Sequence, residues 1–382
     1  MSQGTLIGID QLVLGATTAC DLLDLDGRVA ISTGTPITRT LLNRIKDAGI
    51  VGLIAGRPDF ASHHVTPGRP ATEAIASRIY EMQRRSGIAD PLGSPTSTYA
   101  HRVLTDTFRK IASGALPDLT PLETLIEKIL HDTELHETAP LPSPRPSHDT
   151  LADRLVDGAI DMAVLMGWHL RKTGKDEDLV RAATTGALLH DAGLLLVPRD
   201  AVACTGALSP VARREIRRHP YLAIRALSPL REKIPKPAQD VILLHHERSD
   251  GKGYPLGRVG EKTPWIARLA HIIDVYTALV SPRPHRLAAT PHRAISIMLS
   301  ESGAGFDKVL LREFIERTGR YPLGSAVVLS SNEVGVVVGI GKGGPFKPIV
   351  DVYFSRHQRF SQTPQRVDLS GDTMRYVRHV MR

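Results

Sequence analysis

The chain is poor in cysteine. Two in 382 residues, Cys20 and Cys204, lie far apart and give no spacing that suggests a disulfide framework. Aromatic residues make up 4% of the chain, and no basic helix is interleaved with them. That argues against a stacking platform for nucleic acid, so no nucleic-acid partner is expected. No apolar run approaches the roughly 20 residues that a membrane-spanning helix needs. The N-terminus, MSQGTLIGID, lacks the basic-then-apolar pattern of a secretory signal. The expectation is a cytoplasmic protein without a membrane segment. Charge of one sign is also scarce: 48 Lys plus Arg against 40 Asp plus Glu give +8. A solvated, Arg-rich surface accounts for that, and an anionic partner is the alternative. The length exceeds one core of typical size and implies two or three domains.

What is present reads as a mainly α chain with a small α/β module at its N-terminus and a small β appendage at its C-terminus. Residues 1–65 form the module. LIGIDQLVLG, GRVAIS and VGLIAG read as strands, with LDLDG as a turn. Thr35-Pro36 caps and opens a helix carrying Ile37, Leu41 and Ile45 on one face. Residues 66–149 read as a helical connector over TEAIASRIYEMQRRSG, YAHRVLTDTFRKIASG and PLETLIEKILHDTEL, closed by the Pro- and Ser-rich linker TAPLPSPRPSHD. Residues 150–318 are mostly helical and hold the chemistry. Residues 319–382 switch to period two in SAVVLSS, NEVGVVVGIG and PIVDVYF. The final QTPQRVDLSGDTMRYVRHVMR carries no assignment.

Four pieces of the helical segment carry polar residues that an apolar helix face would take inward. GALLHDAG places His190 beside Asp191 at the end of a helix capped by Asp176. EIRRHPYL holds His219, in a helix that Ser209 and Pro210 open and that Pro220 kinks or stops. In VILLHHERSDGKGYP, Val241 and Ile242 each precede a histidine by four residues, so His245 and His246 follow an apolar face inward. A glycine-rich loop with Asp250, Gly253 and Tyr254 comes next. In TPWIARLAHIIDVYTALVSPRPHR, Thr263 caps, Pro264 begins the helix, and Asp274 lies on the side of Ala270. A carboxylate facing inward is costly unless it is paired or meets a cation. Alone, each piece reads as a capping or hydrogen-bonded polar residue. Together they offer imidazole and carboxylate donors suited to Fe, Mn, Ni or Zn rather than Ca or Mg. A pair of such metals can activate water near neutral pH and clamp a phosphodiester for in-line attack, so metal-assisted phosphohydrolysis is the reaction class.

These segments resemble the HD-GYP family, a branch of the HD metal-dependent phosphohydrolases. LLHDAG matches the HD pair, RRHP the next histidine, HHERSDGKGYP the GYP signature, and IIDVYTALVSPRPHR the final aspartate segment. The resemblance covers about residues 150–318. It implies an all-helical HD-type domain that hydrolyses cyclic di-GMP to the linear dinucleotide or to GMP with two divalent transition metals, Fe or Mn. It further implies that Asp191 bridges the metals, that His219, His245 and His246 complete one site with it, and that His190 and Asp274 belong to the other. Arg283, Arg286, Gly253 and Tyr254 would meet the substrate, while Glu247 and Asp250 shape the loop. A GGDEF-domain protein is a possible partner, and a homodimer a possible assembly.

The chain departs from the family pattern. A ligand histidine of the first helix of the domain falls on Gly158, and a carboxylate found in some members falls on Arg154. Asp157 points about 100° around the helix from Gly158, and His169 is too distant to substitute. The family's phosphate-contacting lysine is Leu194. The aspartate after the ligand aspartate is Thr277, and the tyrosine of the RPYR segment is His285. These changes fall on catalysis rather than folding, and the alternative is a degenerate member that binds the dinucleotide or a signalling partner without turnover.

Overall fold

In the computed structural model, short β-branched and leucine runs near the N-terminus pair as β1 (Thr5–Ile7), β2 (Leu22–Leu23), β3 (Val29–Ile31) and β4 (Leu53–Ala55). Their sheet runs β1-β4-β2-β3 with every pairing antiparallel. Helix α1 spans Arg39–Asp47. It does not begin at Thr35-Pro36: Pro36 bridges Thr17, and Ile37 N–H donates to Ala16 O, which keeps that stretch extended. The Thr38 hydroxyl takes the capping role, accepting from Leu41 N–H. Ile37 and Ile45 still enter the same small core with Leu22, Ile31 and Leu53.

The structure describes residues 5–7, 12, 14–19, 21–23, 29–47, 53–55, 82, 85, 92–134, 136, 139–140, 150–202, 209–281, 289–300, 305–344, 346–354 and 360–380. The turn over LDLDG beyond Leu23, the Pro-rich linker apart from Ala139 and Pro140, and the helix expected over TEAIASRIYEMQRRSG, apart from Met82 and Arg85, lie outside these residues. So do Arg283, Arg286 and His285.

Two compact units emerge: Met1–Ala89 with Tyr321–Arg382, and Asp90–Arg320. The first unit contains β5 (Ala326–Leu329), β6 (Val334–Ile340), β7 (Pro348–Phe354), β8 (Phe360–Asp368) and β9 (Val377–Val380). They form an antiparallel sheet in the order β8-β7-β6-β5-β9. Both faces are buried. Val327, Val337, Val350 and Val367 share one core cluster, and Val328, Val334, Val336 and Tyr353 share the other with Met82. That is why these strands read as nearly unbroken apolar runs. The unassigned tail supplies the two edge strands, and Pro364 is tolerated because β8 lies at the edge.

The second unit is helical: α2 (Ser94–Ala112), α3 (Thr120–Glu134), α4 (Leu151–Lys172), α5 (Glu177–Leu189), α6 (Arg199–Val202), α7 (Pro210–Ile216), α8 (His219–Ala226), α9 (Lys236–Leu244), α10 (Trp265–Val280), α11 (Pro291–Ser300) and α12 (Lys308–Thr318). Helices α2 and α3, which the sequence reading gives to a connector, bury Leu104, Phe108, Leu125 and Ile129 in the same core as Ala163 and Trp168 of α4. Among the described residues, no helix is long and apolar enough to cross a membrane.

Candidate metal centre

Two helix C-termini converge to build the site. Asp176 caps α5 through its side chain, and the helix runs out at His190, its C-cap. Helix α9 ends the same way at His245. The two cross closely because residue 186 is glycine: a Cβ there would stand 2.7 Å from the Val241 Cβ and 2.8 Å from the Ala238 carbonyl oxygen. The negative end of each helix dipole therefore points at one place, which favours a cation.

Helix α8 brings the third histidine. The sequence reading places a kink or stop at Pro220, whereas His219-Pro220 opens α8, where a missing proline N–H costs nothing. Gly193 follows the His-Asp turn and admits this helix end. A Cβ there would meet the His219 carbonyl oxygen at 2.0 Å. Helix α10 begins at Trp265 with Pro264 as its cap, one residue later than Thr263 suggests. It carries Asp274 in from the opposite side.

The histidines present a common arrangement. Nδ1 of His190 lies 2.8 Å from Ala187 O, Nδ1 of His219 2.8 Å from Ile216 O, and Nδ1 of His245 3.0 Å from Val241 O. A carbonyl can only accept, so each Nδ1 carries the proton and donates to a carbonyl of a last helical turn. Each Nε2 is thereby aimed inward.

Asp191, His219, His245 and His246 each offer one donor atom, and all four lie within 4.8 Å of one another. His219 Nε2 stands 3.1 Å from Asp191 Oδ1 and 3.3 Å from His245 Nε2. His245 Nε2 is 3.8 Å from the same oxygen. The other Asp191 oxygen, Oδ2, lies 3.4 Å from His190 Nε2, which is itself 3.9 Å from Asp274 Oδ1. His246 Nδ1 is 3.4 Å from Asp274 Oδ2. The structure thus brings together all six residues expected as ligands, with the two Asp191 oxygens facing different histidines.

This donor set fits a divalent transition metal. With both Nδ1 protons committed, the Nε2 lone pairs of His219 and His245 face each other at 3.3 Å, an arrangement that a shared cation relieves. The protonation states of His245 and His246 agree. Burial pushes His245 and His246 below the ordinary imidazole value, as ligation requires. Burial opposes ionising Asp191, yet the surrounding histidines hold it well below the usual carboxylate range. At His190, burial is outweighed by Asp191 and Asp274, which raise it to about 9. The local field favours positive charge.

The glycine-rich loop covers this cluster. The Tyr254 ring stacks on His246 at 4.6 Å and 30°, and burial with the Asp191 and Asp274 charges raises its hydroxyl, which stays protonated. Gly253 packs where a Cβ would stand 2.3 Å from Arg248 N and 2.6 Å from His246 O. Glu247, expected to shape the loop, is its main anchor. The Glu247 carboxylate, 1% exposed, accepts from the N–H groups of Leu256 (2.6 Å), Gly257 (3.1 Å) and Arg258 (2.9 Å). Sequence reasoning missed His271, whose Nδ1 lies 3.1 Å from His245 O and braces that residue. The signal for His271 was its spacing, one turn before Asp274 on the same helix.

The departures are visible too. A Cβ at Gly158 meets nothing within 4 Å. Asp157 pairs with His101 at 3.4 Å rather than joining the donors. Leu194 packs against the apolar core, and His169 is buried against Phe314. The Thr277 hydroxyl donates to the Asp274 backbone oxygen at 2.9 Å.

A family model described as HD domain matches residues 142–310. A cyclic di-GMP phosphodiesterase of Pseudomonas aeruginosa is 32% identical over 280 residues, covering 73% of this chain and 67% of that protein. The cyclic di-GMP phosphodiesterase response regulator RpfG of Xanthomonas campestris pv. campestris is 34% identical over 146 residues, 38% of this chain and 39% of its own. A probable cyclic di-GMP phosphodiesterase of Vibrio cholerae serotype O1 is 33% identical over 136 residues, 34% of this chain and 31% of its own. The chain spans about two thirds of the first relative and well under half of the other two. With the HD pair, the HHE-to-GYP loop and this donor cluster in one helical unit, the chain belongs to the HD-GYP branch of the HD-domain family.

Proposed function

We propose that this protein is a metal-dependent phosphodiesterase that opens cyclic di-GMP to the linear dinucleotide or GMP. The observation that carries this is the inward set of Asp191, His219, His245 and His246 donors, with the Nδ1 protons of His219 and His245 committed to backbone carbonyls. The names of the three relatives supply the substrate. His219, His245, His246 and Asp191 would hold one cation, and His190 and Asp274 the other, with Asp191 shared. Iron or manganese suits these donors. Bound cations supply the charge that acidifies water and offsets the phosphodiester's own.

The protein's residues set the rest of the reaction. Asp191 enters ionised, and the helix C-termini behind His190 and His245 stabilise positive charge at the centre. Tyr254 keeps its proton and can donate to a phosphate oxygen above His246. Gly253, fixed by its backbone packing, holds Tyr254 there. Arg283 and Arg286 follow α10 in sequence, and their guanidinium forks suit phosphate or a guanine edge. The reaction is placed in the cytoplasm; a GGDEF-domain protein and a second copy of the chain are the further partners of this reading.

Leu194 and Gly158 favour a second reading, dinucleotide binding without turnover. The first removes an ammonium from the phosphate, and the second removes an imidazole from the metals. Chromatography of cyclic di-GMP incubated with anaerobically prepared protein separates the two. Linear dinucleotide or GMP is expected; tight binding with no product would leave only the second reading. The open space at Gly158 makes a companion test feasible: Gly158→His with Leu194→Lys should raise both metal content and rate, and unchanged metal content would refute the placement of the missing ligand.

A further inference from the structure

We propose that Arg217 is a substrate-binding residue that contacts the second phosphodiester of the cyclic dinucleotide, the one not held by the metal donors. The inference rests on the function proposed above and extends its binding site to a residue on α7.

Arg217 is the C-cap of α7, where its charge complements the negative helix end. Its guanidinium carbon lies 4.7 Å from the centre of the Tyr254 ring. That ring is stacked 4.6 Å from His246 and meets His219 edge-on at 6.2 Å. Arg217, Tyr254 and His246 therefore form a three-layer stack whose inner layer is a metal donor and whose outer layer is a cation. The stack stands on a fixed base, because Glu247 clamps the loop that carries Tyr254.

Among the described residues the charge at Arg217 is uncompensated. The adjacent Arg218 is neutralised by Glu215 at 2.7 Å. Among the described residues no carboxylate pairs with Arg217, and its one polar contact is a long one to Gly253 O at 3.5 Å. A guanidinium carries five N–H donors in a rigid fork, so nearly all of this group's capacity is free. Stacking on a tyrosine holds the fork in place before any anion arrives. This matters in a chain where Leu194 offers no ammonium near the centre.

Position selects which anion is met. The Tyr254 ring packs against both Arg217 and the donor His246, so the guanidinium is assigned the anion beyond the one lying on the donors. A cyclic dinucleotide carries two phosphodiesters across one ring. With the first on the donors, the second projects past Tyr254 towards Arg217.

The test is equilibrium binding of a phosphorothioate-bridged, non-hydrolysable cyclic di-GMP analogue to the metal-loaded protein, measured at several salt concentrations. Arg217→Ala should weaken binding about tenfold and reduce the slope of log K against log salt by about one. Arg217→Lys should recover part of the loss, while Arg218→Ala should bind like the wild type. Arg217 is exposed, so these variants fold. Wild-type binding with Arg217→Ala within twofold of it would overturn the inference, as would an equal loss in Arg218→Ala. Weakened binding with an unchanged salt slope would overturn the phosphate assignment. No binding by the wild type would overturn the proposed substrate itself.

Discussion

His245 ends α9 with its Nδ1 proton given to the helix, so its Nε2 has nowhere to turn but towards Asp191. The same holds at His190 and His219. At residue scale the centre is thus preset by ordinary helix-end chemistry, in which carbonyls of the last helical turn take the imidazole protons. The histidines and aspartates were legible from their place after apolar runs. Glu247 reads in sequence as shaping its loop, but its three partners do not, because they are backbone N–H groups of a loop whose path no periodicity reveals. Arg217 reads in sequence as one of several surface arginines; only the fold stacks it on Tyr254. Tyr254→Phe keeps the stack on His246 but removes the hydroxyl. Losing one hydrogen bond to an anion should raise KM about threefold to tenfold. A Tyr254→Phe enzyme with wild-type KM for cyclic di-GMP would mean the hydroxyl faces no substrate atom.

At the scale of elements, two glycines decide where the donors stand. Gly186 lets α9 press against α5, and Gly193 lets α8 begin against the His-Asp turn. Their φ angles are unremarkable, so the requirement is space rather than backbone freedom. Sequence alone marks Gly193 as a helix stop and Gly186 as one more small residue on an apolar face. Their contacts are long-range, and that kind of information is absent from local pattern. Gly193→Ala must displace α8 by the width of a methyl group and carry His219 away from Asp191. Overpacking of this kind costs about 1–3 kcal/mol. The expected result is a lower urea midpoint together with weakened metal retention, measured on the same sample. Lowered stability with metal retention intact would show that α8 relaxes without moving His219.

At the scale of the whole molecule, the helical unit that the sequence marks as the seat of the chemistry holds all six expected donors. Its extent was drawn too short, because α2 and α3 declare their allegiance only through the core they share with α4. The sheet of β5 to β9 was legible from its β-branched runs, apart from its two outer strands, which are more polar and, in β8, carry Pro364, as edge strands tolerate. Stability of the helical unit should depend on pH through His169. Burial, aided by the charges of Arg317 and Lys175, lowers this imidazole to about 4. The unfolded chain binds that proton near pH 6.5 and the folded one does not. Stability is therefore full above about 6.5 and falls as pH drops towards 4, by up to about 3 kcal/mol. Urea melts at pH 7 and pH 5 should show a larger drop for the wild type than for His169→Leu. Equal drops in both would assign the acid sensitivity elsewhere.

The central claim is that Asp191, His219, His245 and His246 hold a catalytic metal. Elemental analysis of anaerobically purified wild type beside His245→Ala tests it most directly. The account predicts iron or manganese at one or more ions per chain in the wild type and a small fraction of that in His245→Ala. Full metal content in His245→Ala, or none in the wild type, would contradict it.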